Sequence, residues 1–152
     1  MDKCQRIRSL FLAPANSYAL REVASLTGTS LRTLRREVTG GYHDAVKVGG
    51  AWRFTWRQAI YVALERWNIV EISDALGDDA AVVLPPLLAP CTVTVRLPEY
   101  MVRALEAVAA EDGTTLDCAL FGELMDFAGA RSGEMEAVIP GYRLAYFFPA
   151  QP

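Results

Sequence analysis

The sequence predicts a mainly α-helical chain with small β elements, divided into two domains. Three observations carry this. Apolar residues recur at helical spacing through most of the 152 residues, with glycines and capping residues between the runs. Two places depart from that period: a Gly49-Gly50 pair flanked by short β-prone segments, and a run from Thr92 to Leu97 with period two. The charge also divides: residues 1–67 hold 11 Lys/Arg against 5 Asp/Glu, a net +6, and the remainder nets −9. A chain that is 52% hydrophobic and 22% charged is expected to fold, and its length fits one domain or two small ones.

In the first half, Ile7, Leu10 and Phe11 mark a short helix that Pro14 and Asn16 end. Tyr18 to Thr27 reads as a second helix, with Leu20, Val23, Ala24 and Leu26 on one face. Gly28 is placed to take the left-handed conformation that stops it. Ser30 is the expected N-cap of a third helix, Leu31 to Val38. There Leu31, Leu34 and Val38 are expected inward, and Arg32, Thr33, Arg35 and Arg36 outward. Gly40-Gly41 ends it. Ala45 to Val48 and Trp52 to Thr55 form an expected hairpin, because Gly49-Gly50 supplies the positive φ of a tight turn. Thr55 and Gln58 have capping-box spacing for a helix to about Trp67, and Ile69 to Leu76 reads as one more.

Gly77 to Pro90 has the composition of a linker, with Gly77, Asp78-Asp79 and three prolines. In an extended polyproline-like state its 14 residues would reach roughly 43 Å. The strand after it puts Val93, Val95 and Leu97 on one face. Pro98 opens a helix bearing Met101, Val102, Leu105, Val108 and Ala109. Asp112-Gly113 breaks it. Thr115 caps another, marked by Leu116, Ala119, Leu120, Leu124 and Phe127. The tail from Arg131 carries Val138, Ile139, Tyr142, Tyr146, Phe147 and Phe148, and needs covering. The expected organisation is thus residues 1–76 as one domain, 77–91 as a Pro-rich linker, 92–130 as a second domain and 131–152 as an apolar tail.

Composition also excludes function classes. No apolar run is long enough to span a bilayer, and the first residues lack a signal peptide's apolar core, so a cytoplasmic location is expected, with no membrane partner. Cys4, Cys91 and Cys118 are odd in number and far apart, which gives no disulfide framework. His43 is the single histidine and reads as a loop residue; clustered Cys/His metal sites are excluded, and no metal or cofactor is expected. Glu123 and Asp126 are near neighbours on a helix, but without a pocket they do not make acid–base machinery. No phosphate-binding glycine loop is present. Trp52, Trp56 and Trp67 are read as core. Nothing points to an enzyme.

Helix, glycine turn, Arg-bearing helix, hairpin, helix is the order of a winged helix-turn-helix. Residues Tyr18 to about Leu64 resemble the excisionase-like members of the MerR superfamily. The resemblance lies in Leu20-Arg21-Glu22-Val23-Ala24, Leu26-Thr27-Gly28-Thr29-Ser30, Thr33-Leu34-Arg35-Arg36 and the wing Val46 to Phe54. It covers about a third of the chain. It implies a double-stranded DNA interface of Ser30, Arg32, Thr33, Arg35 and Arg36 in the major groove, with Lys47 and Arg53 on phosphates. Glu37, directly after the basic cluster, departs from the pattern, and the cysteines of metal-sensing members are missing.

Val93-Thr94-Val95-Arg96-Leu97-Pro98, followed by Leu105, Val108-Ala109, Gly113 and Thr115, resembles a ribbon-helix-helix domain through Phe127. That implies a homodimer in which strands from two copies pair, with Val93, Val95, Leu97, Leu105, Leu120 and Leu124 at the shared core. A lone strand and two short helices cannot bury their apolar faces alone. Thr92, Thr94 and Arg96 would face outward as a second DNA surface; the −9 charge of this half weighs towards dimerisation alone.

The expected protein is a sequence-specific, dimeric transcriptional regulator of mainly α fold, a repressor of its own operon acting at an inverted-repeat operator. Half-sites one turn apart, about 34 Å, lie within the linker's reach. The pairing of a DNA-binding module with an apolar tail is similar to antitoxins, in which the tail would hold a toxin; the tail is expected to pack on its own dimer instead. The alternative is a DNA-bending, excisionase-like accessory factor of a phage or plasmid.

Overall fold

The computed structural model, which describes residues 1–149, begins with a helix capped by Asp2. The Asp2 carboxylate accepts the Gln5 N–H and the Gln5 side chain accepts the Asp2 N–H, so two first-turn donors are satisfied reciprocally. This helix, α1 (Lys3–Leu12), buries Ile7, Leu10 and Phe11. After it comes β1 (Tyr18–Ala19), where helix was expected: Tyr18 pairs with Phe54 and Ala19 with Arg53, antiparallel. The pairing buries the Tyr18 ring, and its hydroxyl oxygen accepts the Ala15 N–H. Helix α2 (Leu20–Thr27) begins only there, with Glu22 reaching back to accept the Ala19 N–H.

Gly28 stops α2 at φ 71°. Ser30 then caps α3 (Leu31–Thr39) by accepting the Thr33 N–H at 3.0 Å. β2 (Val46–Val48) and β3 (Ala51–Phe54) form the hairpin, with Gly49 and Gly50 both at positive φ as its two-residue turn requires. The three strands make one antiparallel sheet in the order β1-β3-β2. The Thr55–Gln58 capping box opens α4 (Trp56–Leu64), and α5 (Ile69–Leu76) follows behind an Asn68 cap. Trp56 lies in the core, and its indole N–H donates to the Leu10 carbonyl at 2.8 Å.

The linker expectation fails over Gly77 to Pro90. Gly77–Asp79 is a 3₁₀ turn and α6 (Ala80–Val83) is helical, while Ala80, Leu84 and Leu88 are buried. Apolar side chains at 80 and 84 lie one helical turn apart and give the stretch a face to bury, which the acidic and proline-rich composition masked. The chain divides into two units at Pro85/Pro86, later than expected. The extended spacer, and the operator reach calculated from it, are therefore absent.

The first unit comprises Met1–Pro85 and takes in Phe148. Its core holds Phe11, Leu34, Phe54, Ile60, Val62, Ile72 and Leu76, each fully buried and each contributing roughly 1.5–3 kcal/mol relative to exposure. Phe148 lies in the same core, edge-on to Phe11 and Trp56. Phe148 is thus covered by the chain's own first-unit core, while Val138, Leu144, Tyr146 and Phe147 stay exposed; the end of the expected tail, residues 150–152, falls outside the described residues.

The second unit, Pro86–Phe147, is built on α7 (Glu99–Asp112) and α8 (Leu116–Ala130). Gly113 at φ 64° ends α7, and Thr115 caps α8 by accepting the Cys118 N–H. α9 (Ser132–Val138) follows. Among the described residues, Thr92–Leu97 forms no strand, contrary to expectation. A strand needs a partner for its backbone donors and acceptors, and the single chain offers this segment none. Val93, Val95 and Leu97 are exposed, Leu105 and Leu120 half-buried, and Leu124 exposed. Small residues, Ala109, Cys118 and Ala119, supply most of what this unit buries. No helix among the described residues is long and apolar enough to cross a membrane.

Candidate nucleic-acid interface

Helix α3 turns Leu34 and Val38 into the core, four residues apart, and this fixes the rest of its surface. Arg32, Arg35 and Arg36 project outward, all exposed, with Thr39 on the same face. Leu31, expected inward, is 38% exposed. It lies at the first turn, where the helix looks towards the wing, not the core. Leu31 and Arg35 share a groove of about 390 Å³ with Arg21 of α2 and with Lys47, Trp52 and Arg53 of the hairpin. Arg21 was missed because its place in α2 reads simply as an exposed polar position. Leu31 was missed because helical spacing assigned it to the Leu34–Val38 stripe.

Ser30 and Thr33 turn out to serve the helix cap. Ser30 Oγ accepts the Thr33 N–H and stands 2.7 Å from Thr33 Oγ1 in a shared hydroxyl hydrogen bond. The half-buried Thr33 is thereby oriented along the helix start.

The wing register separates its two cations. Lys47 lies opposite Trp52, and Arg53 opposite Val46, so Lys47 and Arg53 point to opposite faces of the ribbon. The Lys47 ammonium sits over the Trp52 ring, 5.6 Å from its centroid, which tethers it at the groove.

Several cations elsewhere in the first unit are paired with acids, Arg66 with Glu37 among them. Lys3 binds Glu71 at 2.7 Å, and Arg8 binds Asp79 at 3.1 Å while donating to the Ala75 and Leu76 carbonyls that end α5. Those acids belong to the first unit, so its net charge is only +2, from 11 Lys/Arg and 9 Asp/Glu in Met1–Pro85. Net charge is therefore a poor guide, and the pairing decides. Among the described residues, the side chains of Arg21, Arg32, Arg35, Arg36 and Arg53 make no salt bridge. Uncompensated positive charge remains around α3, at Arg21 and on both faces of the wing.

Glu37, the acid that follows this cluster, is turned away from it. Its carboxylate takes the Arg66 guanidinium on one oxygen and His43 Nε2 at 3.3 Å on the other. The Arg66 hydrogen bond, helped by His43, holds the Glu37 carboxyl below the usual carboxylate range. His43 is a loop residue as expected, yet only 8% exposed, with Glu65 at 3.6 Å as its second neighbour. The cluster ties the middle of α3 to the end of α4 and compensates the negative charge that directly follows the arginines of α3. Among the described residues no group of His, Cys, Asp and Glu is arranged to hold a metal ion.

Thr92, Thr94 and Arg96, the second candidate surface, are all exposed. Comparison with family models, with curated proteins and with solved structures returns no match.

Proposed function

We propose that this chain is a sequence-specific double-stranded-DNA-binding transcriptional regulator, acting as a homodimer and repressing its own operon. The observation that carries the reading is the unpaired arginine face of α3. Among the described residues, Arg32, Arg35 and Arg36 stand outward with no acid partner, while Lys3, Arg8 and Arg66 are all engaged. An arginine on an exposed helix can donate two hydrogen bonds to guanine in the major groove, and Leu31 beside them offers an apolar contact for a thymine methyl. Lys47 and Arg53 supply phosphate contacts. The reading is of a binding protein without cofactor, not of an enzyme.

The dimer is supported by what the second unit leaves uncovered. Val93, Val95, Leu97, Leu124 and Phe127 are exposed together with Met101, Val108 and Leu116, more apolar surface than a unit of this size leaves to water. A second copy would pair with Val93–Leu97 as a two-stranded ribbon and cover these side chains. A two-fold dimer calls for an inverted-repeat operator. The toxin reading loses support, because Phe148, the most buried aromatic of the tail, is committed to the chain's own core.

Fluorescence anisotropy with duplex DNA from upstream of the chain's own reading frame, against a mixed-sequence duplex, tests the proposal. Tighter binding to the upstream DNA is expected, with affinity falling steeply as salt rises. Equal affinity for both duplexes would remove the regulatory role, and no binding at low salt would remove DNA altogether.

A further inference from the structure

Helix α1 carries three cations that meet different fates. Lys3 and Arg8 are paired with acids. Arg6 is not: among the described residues its guanidinium has no carboxylate partner and no hydrogen-bond acceptor, and its Nε is buried without either. The side chain lies against the turn between α2 and α3. A Cβ placed on Gly28 would stand 2.8 Å from Arg6 Nη1. Gly28 is required by its φ of 71°, and the guanidinium end of Arg6 lies close against it.

We propose that Arg6 is a DNA-phosphate contact at the start of α3, extending the interface from α3 and the wing onto α1. The inference rests on the DNA-binding reading above. The buried Nε meets nothing from outside, but the Nη groups beside the turn have no acceptor among the described residues and can take one that arrives with DNA. Guanidinium is suited to a phosphate, since its planar fork of donors matches two phosphate oxygens and it gives up hydration more readily than an ammonium. Its position is equally informative. Gly28 adds no side chain between Arg6 and the turn, and the next residues, Thr29 and Ser30, lead directly into the helix that bears the base-reading arginines. The positive end of the α3 dipole reinforces the same sign of charge. Wing cations and Arg6 would then hold the DNA backbone at two separate places relative to α3, fixing how that helix enters the groove. An interface with two such anchors is harder to rotate than one with the wing alone.

The competing role is structural, with Arg6 simply stabilising the negative C-terminal end of α2 on which it lies. Binding of a mixed-sequence DNA duplex over a salt series separates the two, using the full chain with Arg6→Gln and Arg6→Lys. A phosphate contact predicts that Arg6→Gln lowers the slope of log affinity against log salt by about one and weakens binding several-fold at low salt. It also predicts that Arg6→Lys restores the slope, with thermal unfolding unchanged in both. A structural role predicts an unchanged slope and a lowered unfolding midpoint, which overturns the proposal. On the unsubstituted protein, the Arg6 Nε–H resonance, slowed in exchange by burial, is expected to shift when the duplex is added; no shift at saturation overturns it too. Failure of the wider reading looks different. There the wild type shows no salt-dependent binding, and Arg35→Ala with Arg36→Ala changes nothing. If those arginines matter and the Arg6→Gln slope equals wild type, only the Arg6 assignment falls.

Discussion

The Phe148 ring stands edge-on to Trp56, centroids 6.1 Å apart and planes at 90°, in a core otherwise built by the first 85 residues. Phe11 completes the slot from α1 at 6.0 Å. The chain thus leaves the first unit at Pro85 and returns to it at Phe148, so the second unit is bounded at both ends by residues of the first. Phe148→Ala removes a fully buried ring and is expected to cost about 3–5 kcal/mol of stability, because the rigid Trp56 and Phe11 rings cannot collapse into the space. Equilibrium urea unfolding, followed through Trp56 and Trp67, measures this directly. A midpoint equal to wild type would show that the tail does not complete this core.

This contact also marks the limit of what the residues alone disclose. Local chemistry was legible: Gly28, Ser30, Thr55 with Gln58, Gly49-Gly50, Gly113 and Thr115 each stop, cap or turn the chain where their side chains dictate, and the arginines of α3 point outward as its period requires. What failed was choice of partner. The aromatic tail announces that Phe148 must be buried, but no periodicity says which unit receives it. Ala80 and Leu84 sit in a stretch whose acids and prolines resemble a linker, and the packing of α6 against α5 that accompanies their burial is not visible in that composition. Val93 to Leu97 has the alternation of a strand, yet a strand exists only where another supplies hydrogen bonds. The His43–Glu37–Arg66 cluster joins three places that nothing in the sequence connects.

Arg35→Ala and Arg36→Ala should each weaken binding to the upstream DNA by about 1–3 kcal/mol while leaving mixed-sequence binding less affected, if each arginine reads a base. Both side chains are exposed, so stability should stay within about 0.5 kcal/mol of wild type. Lys47→Ala should weaken both duplexes alike and lower the salt slope by about one. Anisotropy titrations on the two duplexes check this. An Arg35/Arg36 double variant that retains the wild-type preference would take base reading away from α3.

Acid should loosen the α3–α4 tie through Glu37. Its folded carboxyl is held below the ordinary value, chiefly by Arg66, so it contributes stability that is present above the unfolded-state value of about 4.3. That contribution is lost as pH falls through the lower folded value. Urea midpoints for wild type should therefore decline as pH drops below about 4.3, and Glu37→Gln should flatten the decline while lowering stability at neutral pH. Parallel declines in the two proteins would remove Glu37 from the acid response.

The proposed ribbon makes the most discriminating case, because Val95 at its centre is solvent-exposed in the single chain. Val95 is 57% exposed, so Val95→Asp removes nothing that the isolated chain buries and should leave the first unit folded. In a paired ribbon the same position meets its counterpart from the second copy, and a carboxylate without a partner there is costly to bury. Light scattering should thus report a dimer for wild type and a monomer for Val95→Asp. Affinity for an inverted-repeat duplex should fall by roughly 10²–10⁴, because the second half-site contact is no longer intramolecular, while affinity for a half-site duplex should match wild type. Thr94→Ala with Arg96→Ala serves as the control, since these side chains alternate with Val93, Val95 and Leu97 along the segment. If the ribbon only dimerises, that variant stays dimeric and keeps its DNA affinity; a dimer with much weakened binding would make Thr94 and Arg96 a second reading surface. A Val95→Asp protein that remains dimeric would place the contact between copies somewhere other than Val93–Leu97.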